Sequence, residues 1–507
     1  MPASTRWPGR AAIALVVLLL AAPLAALVWR AAGVGGLSAG DLAALRFTLW
    51  QAALSALLSV ALAVPVARAL ARRRFAGRGA VIAVLGAPFI LPVLAAVVGL
   101  LAIFGRAGLL NQGLLLLGLP RLSIYGLSGV VLAHVFLNLP LAVRMILTGW
   151  QAIPEERFRL TASLGVPVGR ILERPMLRAV LPGAALVIFL VCLSSFTVAL
   201  TLGGGPRATT LELAIYQSLR FDFAPGRAAM LALVQLGIAA GFVLLAARMT
   251  LPQTLGPDPG RVVPRWDGRS TAARLGDAAA IGAALLFLAL PLAAVVAQGV
   301  PGLVALPPAV WAALGRTLAV ALAATALAMM LALALADHGG RLADLAGTLP
   351  LALSGLVLGA GLMILILPLA APARLALPVT ALLNALAALP FALRIIAPEV
   401  ARIRRDYGRL ADTLGLRGVA RLRLLLVPLA RHPLGLAAGL AAALSVGDLG
   451  VIALFGDTGS QTLPLLMLSL MGAYRMEAAA AVGLVLAACA FGLFLTFDLW
   501  GRHEPRH

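Results

Sequence analysis

The stretches IPEERFRLTASLGVPVGRILERPMLRAVLPG (153–183) and RRDYGRLADTLGLRGVARLRLLLVPLARHPLG (404–435) are two versions of one pattern. Each reads as a short amphipathic helix that ends at a glycine, then a turn, then a second helix entered near a proline. Leu160, Ala162 and Leu164, with their counterparts Leu410 and Leu414, sit in the helix-forming part. Gly165 and Gly415 follow where a residue without Cβ can turn left-handed and stop a helix. A solvated connector needs none of this, so the pair predicts two docking surfaces for a partner.

Working outward, Pro140, Arg144, Leu164 and Gly165 recur 250 residues on as Pro390, Arg394, Leu414 and Gly415. Beyond the glycine the offset becomes 253, matching Pro175 to Pro428 and Thr209 to Thr462. The apolar runs around these landmarks reach the roughly 20 residues that a spanning helix needs. Spans are expected near 11–29, 47–71, 80–104, 126–148, 183–202 and 228–247, then near 277–297, 311–335, 345–369, 375–397, 435–455 and 478–498. The first follows Arg6 and Arg10 but is longer than the apolar core of a signal peptide, so a retained anchor is expected. The reading is all-α, with twelve spans in two repeats, 1–247 and 277–507, joined by an Arg/Pro/Gly linker at 248–276. Both repeats enter the membrane from one side, which makes the duplication parallel.

Composition agrees. The chain of 507 residues is 62% hydrophobic and 12% charged, with a mean hydropathy of +1.03. The net charge of +21 comes from 40 basic residues, every one an arginine. Ten arginines fall on one side of the predicted membrane and 30 on the other, the richer side holding both termini and both patterned loops. The positive-inside rule assigns that side to the cytoplasm. Arginines that flank spans set topology; without interleaved aromatics they do not suggest nucleic acid. Without lysine there is no P-loop and no Schiff base. Cys192 and Cys489 lie in apolar runs, and the five histidines form no ligand set, so neither a disulfide nor a metal site is expected.

The two loops resemble the EAA motif of binding-protein-dependent ABC importer permeases, in which a coupling helix fits a groove on the ATPase. The second keeps the thirteen-residue spacing from Gly415 to Pro428; the first has ten from Gly165 to Pro175. Arg159 and Arg409 stand in place of the leading glutamate. The first loop is therefore expected to be the irregular one, and substitution at Gly165 to matter less than at Gly415. Two fused repeats are similar to the thiamine and ferric-iron importer permeases. RALARRRFAGRG (68–79), LAHVFLNLPLAVR (132–144), LGGGPRATTLELAIYQSL (202–219) and LSVGDLGVIALFG (444–456) resemble the thiamine branch. The resemblance implies a type I importer fold in the bacterial inner membrane, carrying thiamine or its phosphates. It also implies a periplasmic solute-binding protein and a separate cytoplasmic ATPase dimer that holds ATP and magnesium. This chain would bind no cofactor and catalyse nothing. The alternatives are a ferric-iron permease and, from another class, a proton-coupled carrier, which would be expected to hold several intramembrane acids.

Among the acids only Asp448 falls well inside an expected span, where a carboxylate costs about 2.5–3.5 kcal/mol and should face protein or water. It is a candidate for the solute path, balanced against pairing with an arginine or a backbone donor; its counterpart at offset 253 is Ser195. Asn138 and Asn384 are further path candidates, although hydrogen bonding between helices weighs more for both. Gly203, Gly204, Gly205 and Arg207 belong to a glycine-rich run without the P-loop pattern, expected as a periplasmic loop that touches the binding protein or gates the path.

Overall fold

The computed structural model describes residues 7–86, 90–203, 205, 208–246, 262, 265 and 268–502. Gly204, Arg207 and most of the 248–276 linker lie outside the described residues. The first repeat contributes α1 (Trp7–Ala31), α2 (Ala39–Arg72), α3 (Arg78–Gly86), α4 (Val93–Phe104), α5 (Leu109–Leu116), α6 (Leu127–Gln151), α7 (Glu155–Ser163), α8 (Arg174–Leu193), α9 (Phe196–Leu202), α10 (Leu211–Arg220) and α11 (Pro225–Ala246). The second contributes α12 (Thr271–Gly302), α13 (Ala309–His338), α14 (Arg341–Thr348), α15 (Gly355–Ile366), α16 (Ala376–Thr413), α17 (Gly418–Arg421), α18 (Val427–Leu429), α19 (Arg431–Val446), α20 (Gly450–Phe455), α21 (Leu463–Gly472) and α22 (Met476–Arg502). No strand occurs among the described residues. Eleven of these helices are long and apolar enough to cross a membrane, and a bent pair raises the total to twelve. The molecule is an all-α, multi-pass membrane protein.

Four spans expected to be continuous are broken. The third (80–104) is split: α3 ends at Gly86, and α4 begins after Pro92. The ninth (345–369) bends by 91° between α14 and α15. There Pro350 starts a 3-10 turn, and the Ser354 hydroxyl restarts the helix by accepting from the N–H groups of Leu356 (3.1 Å) and Val357 (3.3 Å). The fifth (183–202) breaks at Ser194–Ser195, the eleventh (435–455) at Gly447–Leu449. Backbone that leaves the helix at membrane depth persists only where protein or a water-filled cavity covers it. The breaks are therefore expected where protein or a cavity covers them.

Two short helices, α10 and α21, were not expected. Each is capped from a distance: Thr48 Oγ1 accepts from Leu211 N–H (2.8 Å) and Thr317 Oγ1 from Leu463 N–H (2.7 Å). Both hydroxyls donate to their own helix, at Ala44 (2.7 Å) and Ala313 (2.8 Å). The caps shift one expected match: Thr210, not Thr209, precedes α10 as Thr462 precedes α21.

The repeats are interlocked. Helix α1 packs on α13, α14 and α15 of the other repeat, and α12 packs on α2, α3 and α4. At each crossing a glycine meets a proline of the visiting helix, Gly361 against Pro23 and Gly99 against Pro291. A Cβ on either glycine would collide with the proline carbonyl, so only glycine allows the close approach that drives helix association in lipid.

Candidate functional site

The turns that close the two patterned loops match hydrogen bond for hydrogen bond. In the first, Val166 N–H reaches Thr161 O (3.1 Å), Gly165 N–H reaches Ala162 O (3.3 Å) and Leu164 N–H reaches Leu160 O (3.0 Å). In the second, Leu416 reaches Ala411 (2.9 Å), Gly415 reaches Asp412 (3.2 Å) and Leu414 reaches Leu410 (3.0 Å). Gly165 and Gly415 sit at φ +65° and +67°, completing a Schellman stop. Leu160 and Leu164 are 57% and 64% exposed, Leu410 and Leu414 55% and 63%. Four leucines in two equivalent places thus stand open while Phe158, Thr161 and Ala411 beneath them are buried. Exposed apolar patches of this kind mark interaction surfaces.

Two expectations about these loops are corrected. The first loop is not irregular at its turn. Its three missing residues fall within the four-residue α17, beyond the glycine, and both loops then pass through a π-helical turn, Gly169–Glu173 or Leu422–Leu426. Pro175 and Pro428 follow in the re-entering helices. Nor is each loop's first helix a separate short one. Helix α7 stands alone after a break at Ala152–Pro154, but its counterpart is the end of the 38-residue α16.

The first loop carries a brace. Glu173, which ends its π-helical turn, accepts from Arg68 of α2 (3.0 Å), from the Trp150 indole of α6 (3.2 Å) and from Arg265 of the linker (2.7 Å). The Arg265 guanidinium also lies over the Phe158 ring of α7, 4.9 Å from its centroid. Nearby, Asp277 of α12 pairs with Arg72 and Arg73 (2.5 Å each), and Arg74 donates to Val262 O (3.1 Å). In the second loop Leu426 replaces Glu173, and Arg404 instead donates to Asp337 O at the end of α13 (3.3 Å).

The breaks converge elsewhere, between the repeats. A Cβ on Gly447 would stand 3.2 Å from Pro92 Cα, bringing the eleventh-span break against the third-span break. A Cβ on Gly450 would stand 3.8 Å from both Asp448 Oδ1 and Phe196 Cδ1, bringing it against the fifth-span break. Asp448 thus lies between α19 and α20, not within a helix. Its carboxylate draws on the N–H groups of Gly450 and Val451 at the start of α20, and Oδ2 is buried with no partner. Ser195 holds the equivalent place before α9.

No protein-family profile matches the chain. The thiamine transport system permease protein of Brucella abortus strain 2308 is 40% identical, over 98% of this chain and 95% of the relative. Its namesake from Escherichia coli K12 is 39% identical over 98% and 97%, and that from Salmonella typhimurium 41% over 90% and 89%. The chain belongs to the thiamine transport system permease family. A molybdenum transport system permease protein from Azotobacter vinelandii is 32% identical over 35% of this chain and 80% of its own length.

Within this family member the expected path residues divide. Asp448 lies beside Gly450 and Phe196, at the seam where the two repeats meet, and Ser195 directly precedes Phe196. Asn138 and Asn384 serve helix pairing inside their repeats: Asn138 Nδ2 donates to His134 O (2.9 Å) and Cys192 Sγ (3.4 Å), and Asn384 Nδ2 to Ser445 Oγ (2.9 Å). Gly203 ends α9, its N–H on Ala199 O (2.9 Å), and Gly205 has a φ of +127°. Sequence reasoning missed Glu173 and Arg265, whose partners lie far along the chain, and Glu212, another buried acid. Glu212 opens LELAIYQSLR (211–220), which is too polar to register as membrane-embedded. The burial of nearly all of α10 shows only once Thr48 and α15 are packed against it.

Proposed function

We propose that this chain is the membrane-spanning permease of an ATP-driven, binding-protein-dependent importer that carries thiamine and its phosphates across the bacterial inner membrane. The observation that carries the reading is the likeness, across nearly the whole chain, to thiamine transport permeases. The paired coupling turns support the mechanism: two leucine-bearing surfaces, related by the repeat, suit a symmetric ATPase dimer with one groove for each. Closure of that dimer would draw the two loops together and tilt α8 and α19 behind them, opening the seam alternately to either side. The excess of arginine beside these loops supports a cytoplasmic position for them and for both termini. ATP and magnesium belong to the partner ATPase, since this chain has no lysine for a P-loop. Gly203 and Gly205 follow the fifth span, and the arginine balance supports a periplasmic position for that end of the span, where a solute-binding protein would dock.

The deciding experiment is uptake into vesicles that hold this chain with its co-purifying ATPase and binding protein. ATP-dependent thiamine accumulation, with ferric iron left outside, is the expected result. Iron uptake without thiamine uptake would assign the chain to the other fused-permease branch.

A further inference from the structure

Three aromatic rings descend from the surface into the seam, all from the first repeat. Phe221, 64% exposed, meets Tyr216 edge-on at 5.7 Å between centroids, and Tyr216 meets Phe196 at 5.1 Å. Tyr216 and Phe196 are buried, and Phe196 abuts Gly450 beside Asp448. Glu212 lies one helical turn before Tyr216 on α10, almost wholly buried. It accepts from Gln235 Nε2 of α11 (2.5 Å) and bonds the Ser354 hydroxyl at the ninth-span break of the opposite repeat. No arginine pairs with it among the described residues, and Gln235 Oε1 beside it is buried without a partner.

A carboxylate withdrawn from water with no cation is unfavourable, and an unmet acceptor next to it adds to the cost. The second repeat forms the corresponding helix without the arrangement. At the repeat-related positions the second half has Leu449 for Phe196, Pro464 for Glu212, Leu468 for Tyr216 and Ala473 for Phe221, and α21 still forms and is capped as α10 is. Aromatic faces and a carboxylate together suit a flat organic cation, which gains from the ring quadrupoles while the acid compensates its charge.

We propose that Phe221, Tyr216 and Phe196, with Glu212 beside them, form a cation-selecting gate that passes a positively charged aromatic solute inward to Asp448. The proposal rests on the thiamine reading, because thiamine carries a permanent thiazolium charge. In this conformation the two inner rings are packed together and the gate is shut. Opening it requires α10 to separate from the Ser354 break of the other repeat, which ties the gate to the relative motion of the repeats.

The test measures initial uptake of thiamine and of its uncharged thiophene isostere, in which carbon replaces the thiazolium nitrogen, in the complete importer. Glu212→Gln and Tyr216→Leu should each slow thiamine about tenfold, as the loss of one charge or cation–π contact would. The isostere should stay within about twofold of its wild-type rate, since it has no charge to lose. Tyr216→Phe, which keeps the ring, should behave as wild type. Equal loss of both compounds would make the cluster a structural latch and overturn the proposal, as would unchanged thiamine uptake. If Glu212→Gln fails to accumulate, the Tyr216→Leu and Tyr216→Phe pair decides alone. A wild-type importer that carries neither compound sinks the substrate reading and the gate with it. One that carries thiamine, with variants that lose no preference for the charged compound, sinks the gate alone.

Discussion

Asp448 shows how much a single residue can ask of its surroundings. A carboxylate within a span is costly, yet this one has backbone N–H groups for only part of its acceptor capacity. The start of α20 offers partial positive charge, and the break in the eleventh span is what makes those N–H groups available. A passing cation at about 4 Å would gain roughly 4 kcal/mol at an effective dielectric near 20, less the carboxylate's own desolvation. Asp448→Asn keeps the size and the acceptor toward α20 but removes the charge. We expect slower thiamine uptake at normal membrane abundance and normal ATPase association. Unchanged uptake would take the charge out of the path; loss of the protein from the membrane would leave only the capping role. Asp448 could be found by eye as an acid in an apolar run. Glu212 could not, because its burial depends on partners that are remote in the chain.

At the scale of elements, the two glycine-stopped loop turns match hydrogen bond for hydrogen bond between the repeats. Both glycines lie in open space at positive φ, where a substituent meets no neighbour and the obstacle is backbone strain alone. A β-branched residue there costs on the order of 1–2 kcal/mol. Gly165→Val and Gly415→Val should therefore uncouple transport to similar degrees while the protein still inserts, which replaces the sequence-based expectation of a smaller effect at Gly165. Co-purification of the ATPase and thiamine uptake, measured for each variant, provide the check; wild-type values in both would dismiss the docking assignment. The loop and the turn were legible because a helix stop is a local event, written in a glycine and the leucines before it. The three-residue difference in spacing was legible as well. Where it is absorbed was not, since α17 and the π-helical turns depend on how the re-entering helix meets the bundle.

For the molecule as a whole, the repeats share everything needed to position a seam between them, and the seam itself is unequal. Asp448 corresponds to Ser195, Glu212 corresponds to Pro464, and among the described residues the Glu173–Arg265 brace holds the first patterned loop and has no counterpart at Leu426 of the second. The relatives that this chain resembles are transport permease proteins, which leaves ATP turnover to a separate subunit in the proposed importer. Purified alone in detergent it should turn over ATP only at background; vanadate-sensitive hydrolysis by the isolated chain would contradict a transport-only role.

The sequence by itself determined the helical class, the roughly dozen apolar crossings, the duplication and the two glycine-stopped turns. Each follows from short-range physics: about 20 apolar residues satisfy their backbone within one helix, and glycine or proline ends it locally. Tertiary structure alone decided which spans break, how α1 and α12 exchange repeats, and which acids meet at the seam. In a membrane helix nearly every face is apolar, so hydrophobic periodicity says little about which face meets protein. The exchange of α1 and α12 turns on two glycines that lie against prolines hundreds of residues away, and only the packed helices bring those partners together.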